Sequence, residues 1–312
     1  MRVPRVSPVF LRRLTTLNVV LLLAVVVSGA IVRVSNSGLG CRDWPNCSAT
    51  EFVSVASDHA AIEQINRIFS GLIGIPLVLT LFAVYQLWPR RGDLVARAWI
   101  LVALFMSEAV VGGISVHLEL AWFSVMSHFL LALALVSVAL QIRQRVREPA
   151  GPRVPIVQPA AIWLVRVMYV WTIGVLVLGT LVTAAGPHGG DREAKRIGIP
   201  ITDLARTHAV AVDILVALTL VTVVVLVRTR APRIVLSTAS FALGAMVAQG
   251  VLGYVQYAQE VPAVLVGFHV FGAVLVFTAV QQLALSVTVP RSRGSNGALG
   301  LVRSDLPVPV GN

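Results

Sequence analysis

The fold is decided by the stretch VVGGISVHLELAWFSVMSHFLLALAL, Val110–Leu135, because it occurs twice. The second copy, VLGYVQYAQEVPAVLVGFHVFGAVLV, begins 141 residues later and covers Val251–Val276. Each copy predicts the end of one apolar helix, a very short turn, and a second apolar helix with a histidine about two turns inside it. The positions identical without a gap are Val110/Val251, Gly112/Gly253, Glu119/Glu260, Val125/Val266, His128/His269 and Ala132/Ala273. A histidine inside a membrane helix is costly and usually functional, so the repeat predicts a duplicated site.

The composition is that of a membrane protein. Of the 312 residues, 57% are apolar and only 12% are charged, whereas a soluble domain carries about 25% charged residues. Eight windows reach the roughly 20 apolar residues that span a bilayer. They are Leu17–Val32, Ile68–Leu87, Leu94–Val116, Leu120–Ile142, Ala160–Thr183, His208–Val227, Ile234–Tyr257 and Val261–Val289. Only helices satisfy their own backbone in lipid at this length, so we predict an all-α integral membrane protein. The first window has spanning length and no clear cleavage site, which favours a helix over a signal peptide.

The basic residues predict the orientation. One side of the predicted helices receives 18 of the 25 Lys and Arg residues, so that side is cytoplasmic and holds both termini. The net charge of +11 would suggest nucleic acid in a soluble protein, but here it is mostly the orientation signal together with attraction to anionic lipid. We therefore expect membrane lipid and no nucleic acid as a partner. Only Lys195 is lysine, a bias typical of GC-rich bacterial genomes, and we expect a bacterial cell membrane protein.

The repeat predicts two halves of four helices. Because four is even, both halves enter the membrane in the same direction, and we expect a pseudo-twofold axis along the membrane normal. We predict an N-terminal four-helix bundle over residues 1–146, a cytoplasmic linker over 147–159 and a C-terminal bundle over 160–289. The tail, residues 290–312, is rich in Gly, Ser and Pro and is predicted to be disordered.

Three histidines are candidate ligands. His128 and His269 lie about seven residues inside helices four and eight, roughly 11 Å below the outer edge, and His208 lies at the outer entrance of helix six. His208 and His269 then have similar depths on different helices, which is the arrangement of two axial haem ligands. A helix–helix hydrogen bond is the alternative, and zinc is less favoured because no third ligand is evident. The intramembrane acids Glu108 and Asp213 either belong to a proton path or face a polar interior.

The first half departs from this pattern. Asn66 takes the position that His208 has in the second half, so an iron bound there lacks a strong second ligand, as oxygen chemistry requires. Glu63, Asn66 and Arg67 share one helix face through their spacing. Glu63 is either a functional carboxylate or a first-turn acid with Arg67 as its salt-bridge partner. His59, one turn earlier, is either a substitute ligand or a loop residue.

The first outer loop contains both cysteines of the chain, Cys41 and Cys47. Because the loop faces the oxidising side, we expect a disulfide between them. It is either a structural staple over the first-half site or a redox-active pair that shuttles electrons. Arg33, where the first helix leaves the membrane, is either a partner for a haem propionate or an interfacial arginine.

Together these features resemble the haem A synthase family from about Leu14 to Val289. The motifs are Gly29–Arg33 leading into Ser37-Gly38-Leu39; Cys41-Arg42-Asp43-Trp44-Pro45-Asn46-Cys47, the most specific; Glu63–Arg67 followed by Gly71; and His128, His208 and His269. The resemblance implies eight helices in two pseudo-symmetric bundles and a haem b held in the second bundle between His208 and His269.

The resemblance also implies that the first bundle binds haem O and oxidises its C8 methyl group to a formyl by successive hydroxylation. Glu63 and His128 match the family's glutamate and histidine, Arg33 and Arg67 are candidate propionate or charge partners, and Asn66 replaces the family's usual second histidine. Glu63 would steady a cationic intermediate or handle protons. Electrons would arrive directly, through the second haem or through the cysteine pair. The implied partners are the haem O synthase, the assembly of a terminal oxidase and a second copy of the chain.

Two other functions compete with this interpretation. A dihaem electron-transfer protein of the cytochrome b type would hold two permanent haems b and would not turn over. A transporter with parallel repeats would use the histidines and Glu63 to bind its substrate, and it would show no haem absorbance.

Overall fold

The computed structural model describes residues 6–291 of the chain. Within these residues lie eight long α-helices and two short β-strands. The helices are α1 (Pro8–Val34), α2 (Asp58–Tyr85), α3 (Gly92–His117), α4 (Trp122–Val146), α5 (Pro159–Ala185), α6 (Ile201–Arg228), α7 (Arg233–Ala258) and α8 (Ala263–Ser286). All eight are long and apolar enough to cross a membrane. The predicted all-α, eight-helix membrane fold is therefore confirmed.

Local sequence explains how several helices begin. Pro8 and Pro159 occupy the first turns of α1 and α5, where proline costs no hydrogen bond. The side chain of Ser57 accepts a hydrogen bond from the amide of Ala60 at 3.2 Å and caps α2, as serine commonly does at a helix start. These polar and proline-containing starts extend the helices beyond the apolar windows from which they were predicted.

The helices pack around three groups of buried apolar residues. The first lies among α1–α4 and contains Leu77, Leu101 and Val136. The second lies among α5–α8 and contains Met168 and Val280. A smaller group joins the two halves where α1, α4, α5 and α8 meet; it is formed by Val26, Leu133, Leu176, Val274 and Phe277. The pseudo-twofold axis and the domain limits stay predictions.

The sequence repeat is visible in the two outer turns between α3 and α4 and between α7 and α8. Glu119 and Leu120 have φ values of 51° and 57°, and the matching Glu260 and Val261 have 60° and 61°. The amides of Leu120 and Val261 each donate to the carbonyl five residues earlier, at 2.8 and 2.9 Å. Residues other than glycine rarely adopt this left-handed backbone conformation. The two identical glutamates therefore belong to one repeated turn.

The predicted linker contains a short strand. Strand β1 (Arg153–Pro155) pairs antiparallel with β2 (Thr288–Pro290), directly after α8. Arg153 adds bonds to Thr288 across this ribbon and to Glu148 within the linker. The linker is thus held against the end of the last helix. Residues 292–312, most of the predicted disordered tail, lie outside the described part of the chain.

Candidate functional site

The imidazole rings of His208 and His269 lie close together in the second half. His208 is seven residues into α6, which begins at Ile201, so the prediction that it lies at the helix entrance is wrong. The polar run after Pro200 continues the helix outward, and hydropathy alone does not detect it. His269 is six residues into α8, and the two ring centroids are 6.5 Å apart at an interplanar angle of 69°.

This separation fits one metal between the rings. Two imidazoles that bind a metal from opposite sides at about 2.0–2.1 Å each have nitrogens about 4 Å apart and ring centres about 6 Å apart. The Nδ1 atoms of His208 and His269 are buried and have no hydrogen-bond partner. Within residues 6–291 no cluster of three or more His, Cys, Asp and Glu side chains could hold a bare metal ion. The pair therefore fits a group that needs two axial ligands, as a haem does.

Each of the three histidine rings packs against a glycine of a neighbouring helix, and we call this glycine the seat of the ring. A Cβ atom at Gly179 would lie 3.2 Å from Cε1 of His208, and one at Gly253 would lie 3.0 Å from Cε1 of His269. In the first half, a Cβ at Gly112 would lie 3.2 Å from Cε1 of His128. Gly112 and Gly253 are identical positions of the repeat, as are His128 and His269. The repeat therefore contains both the histidine and the glycine against which it packs.

The surroundings of His128 differ from those of its repeat partner. Its side chain is 47% exposed, and its Nδ1 lies 2.5 Å from Oε2 of Glu108 on α3. On α2, the side-chain carbonyl of Asn66 accepts a hydrogen bond from Ser28 of α1 at 2.7 Å. The first half thus has one imidazole with a carboxylate partner, where the second half has two neighbouring imidazoles.

Glu63 is buried, and both of its carboxylate oxygens accept hydrogen bonds. Its Oε2 accepts a hydrogen bond from the amide of Cys41 at 2.7 Å, and its Oε1 accepts from Arg67 at 2.6 and 3.0 Å. The first-turn acid of α2 is Asp58, so the first-turn interpretation of Glu63 is wrong, whereas the expected salt bridge to Arg67 is present. Glu63 therefore ties the first outer loop to α2, and its catalytic role stays a prediction.

A disulfide, hydrogen bonds from Arg67 and the packing of Trp44 hold the first outer loop in place. Cys41 and Cys47 form the expected disulfide. The guanidinium of Arg67 donates to the carbonyl oxygens of Asp43 and Asn46 at 2.8 and 3.1 Å. The Trp44 ring packs so closely on Gly113 that a Cβ there would lie 2.6 Å from it. Since Gly113 adjoins the glycine that seats His128, the loop and the histidine share one end of the first half.

Two further predicted residues lie at the outer ends of their helices. Arg33 donates to the carbonyl oxygen of His188 at 2.9 Å and lines a cavity between the halves with Lys195 and Arg196. This cluster of cations suits an anionic group, and the propionate role of Arg33 stays a prediction. His59 is exposed in the first turn of α2 and hydrogen bonds to Ser37 at 2.9 Å, so it holds the loop.

Sequence reasoning missed the contact between Glu108 and His128. In the repeat, the position in the second half that matches Glu108 is Gln249. The acid is therefore specific to the first half. The other intramembrane acid, Asp213, is exposed on α6.

Fold and site define a multi-pass membrane protein with a repeated helical hairpin, in which each copy carries a glycine-seated histidine. The family model described as cytochrome oxidase assembly protein, COX15-CtaA, matches residues 12–187. The chain belongs to this family, and the resemblance noted from its motifs is confirmed.

Curated relatives agree with this assignment. The chain is 30% identical to the heme A synthase of Shewanella oneidensis over 151 residues, which is 43% of this chain and 45% of that protein. It is 27% identical to the heme A synthase of Lysinibacillus sphaericus over 123 residues, 38% of each chain. A third match, 30% identical over 106 residues, is the protoheme IX farnesyltransferase of Chloroflexus aurantiacus, and it covers 34% of this chain and 18% of that protein. The matches span less than half the length of these relatives.

Proposed function

We propose that this protein is a haem A synthase, which oxidises the C8 methyl group of haem O to a formyl group and so makes haem A for terminal oxidases. The observation that supports the proposal most is that the two halves differ in their histidines: the second half has a pair and the first half has one. The imidazoles of His208 and His269 lie close together as a pair, whereas in the first half Asn66 takes the position of the second histidine and His128 is paired with Glu108. A closed pair suits electron transfer, and a site with one strong ligand suits oxidation.

In the second half, His208 and His269 would hold haem b. This group supplies one-electron transfer when it is bound. The chain's part is to fix both imidazoles from different helices, and Gly179 and Gly253 leave the space that the rings need.

In the first half, His128 would bind the iron of haem O. Asn66 and Ser28 hydrogen bond to each other where the repeat would bring a second histidine, so no strong ligand opposes His128 there. Two successive hydroxylations, –CH3 + 2 O2 + 4 e⁻ + 4 H⁺ → –CH(OH)2 + 2 H2O, followed by loss of water to give –CHO, balance with dioxygen as the oxidant and with electrons that the second haem would deliver.

Glu63 is the catalytic group of the proposal. A carboxylate offers about four lone-pair sites, so Glu63 keeps capacity to take a proton or to steady positive charge at the methyl carbon while Arg67 and Cys41 hold it in place. Arg67 and Arg33 are the proposed charge partners of the haem propionates. The disulfide between Cys41 and Cys47 keeps the loop over the site.

The proposed partners follow from the chemistry. Haem O must come from an enzyme that attaches the farnesyl chain to haem. The product passes to the assembly of a terminal oxidase, in line with the description of the family.

The test is Glu63→Gln in cells that make haem O and lack another source of haem A. Loss of a positioned acid or base costs about 10²–10⁴-fold in rate, so haem O should accumulate while haem A falls by about 100-fold or more. Haem b retained on the purified variant shows that it is folded. Asp58→Asn is the matched control, since Asp58 is an exposed acid of the same helix. Normal haem A in Glu63→Gln cells would remove the catalytic assignment.

A further inference from the structure

The two copies of the repeat differ at one polar position next to the histidine. Glu108 on α3 and Gln249 on α7 are 141 residues apart, the same offset that relates His128 to His269. Each is four residues before the glycine that seats the ring. A carboxylate therefore stands in the first half where the second half has an amide.

The two side chains make different contacts. Glu108 Oε2 lies 2.5 Å from Nδ1 of the His128 imidazole. The amide of Gln249 instead donates to the backbone carbonyl of His269 at 2.6 Å, and Nδ1 of His269 has no hydrogen-bond partner. Nδ1 of His208 also lacks one. Among the three candidate ligands, only His128 has a carboxylate at this nitrogen.

The need to join two helices does not explain why Glu108 carries a carboxylate. The side chain of Glu108 is 13% exposed, and both of its carboxylate oxygens are buried without a hydrogen bond, so the short contact with His128 is an ion-pair contact. An acid at the centre of a membrane helix costs about 2.5–3.5 kcal/mol on insertion scales. Gln249 joins α7 to α8 from the matching position without a charge, so joining helices does not require an acid.

We propose that Glu108 is a positioning residue of the substrate site, which acts through His128. From this contact it would accept the Nδ1–H of the imidazole when haem O is bound, fix the tautomer with Nε2 free to bind iron, and strengthen its electron donation. A carboxylate on the far nitrogen of a metal-bound histidine has this effect. The cofactor site has no such partner, so the chain gives its two haems imidazoles of different donor strength. This inference rests on the proposed function, because it requires haem O at His128.

The test compares Glu108→Gln with the wild-type protein, both as purified full-length chains made in cells that supply haem O. The substitution installs the residue that the second half already carries at this position. Loss of such a partner typically costs 10–100-fold in affinity or activity, so haem O should be retained about 10–100-fold more weakly. The midpoint potential of the first-half haem should also rise, by about 59 mV for each tenfold loss of preference for ferric iron.

Two further variants separate positioning from folding. Glu108→Asp keeps a carboxylate, and its potential should lie between those of the wild type and Glu108→Gln. Ser107→Ala changes the neighbouring exposed residue, whose hydroxyl bonds only to its own helix, and should leave both haems unchanged. The potential of haem b at His208 and His269 should not move in any of them.

The inference is overturned if Glu108→Gln retains haem O with an unshifted potential, or if both haems shift equally. A wild-type protein that binds no haem O overturns the proposed function and this inference together. A wild-type protein that binds haem O, with Glu108→Gln indistinguishable from it, overturns only the role of Glu108.

Discussion

Gly253→Ala tests whether the glycine seat positions a haem ligand. The added Cβ would lie 3.0 Å from Cε1 of His269, whereas ordinary contacts begin at 3.4 Å. The ring or α7 must therefore move by about 0.4 Å, and overpacking of this kind costs about 1–3 kcal/mol. Because each 1.4 kcal/mol is about a tenfold change in an equilibrium constant, haem b should bind about 5–150-fold more weakly.

The assay is the haem b content of the purified protein, measured from the optical spectrum and expressed per protein chain. Gly250→Ala is the matched control, because it lies one turn earlier on α7 and a Cβ there meets nothing within 4 Å. His269→Ala, which deletes the imidazole, gives the reference for full loss. Gly253→Ala should fall between these two variants.

Equal haem b content and identical spectra in Gly253→Ala and Gly250→Ala would refute the reasoning. That result would mean that His269 does not need its observed place against α7. Unchanged absorbance in His269→Ala would go further and remove His269 as a ligand of the haem.

Two predictions concern the first outer loop. Cys41→Ser should lower stability by about 2 kcal/mol, the chain-entropy value for so short a loop, and thermal unfolding in detergent with and without reductant measures it. If the pair is a staple, haem A synthesis should persist at reduced temperature; complete loss there with the fold intact would indicate a redox role instead. Arg67→Lys keeps the charge but loses the planar fork that joins Glu63 to the loop carbonyls. It should speed proteolysis between Asp43 and Cys47, and an unchanged cleavage rate would contradict the observed network.

The membrane fold was largely predictable, because lipid permits only segments that satisfy their own backbone. Eight apolar windows therefore became eight helices. Helix ends were less predictable: α6 begins at Ile201, well before the apolar run, because polar residues continue a helix into the interface. The pairing of β1 with β2 depends on residues more than a hundred positions apart, and no local pattern indicates it.

The site was predictable where spacing alone brings residues together. Glu63 and Arg67 meet because they are four apart on one helix. The loop carbonyls that Arg67 holds could not be foreseen, since they depend on how the loop folds back over α2. Glu108 is an intramembrane acid in the sequence and its repeat position is Gln249, but its contact with His128 depends on how α3 packs against α4.

Chemical identification of the haems extracted from the wild-type protein, purified from cells that supply haem O, tests the central claim most directly. The proposed function predicts haem b together with haem O or haem A in one preparation. Haem b alone would contradict it and favour a dihaem electron-transfer protein, and a preparation without haem would favour a transporter.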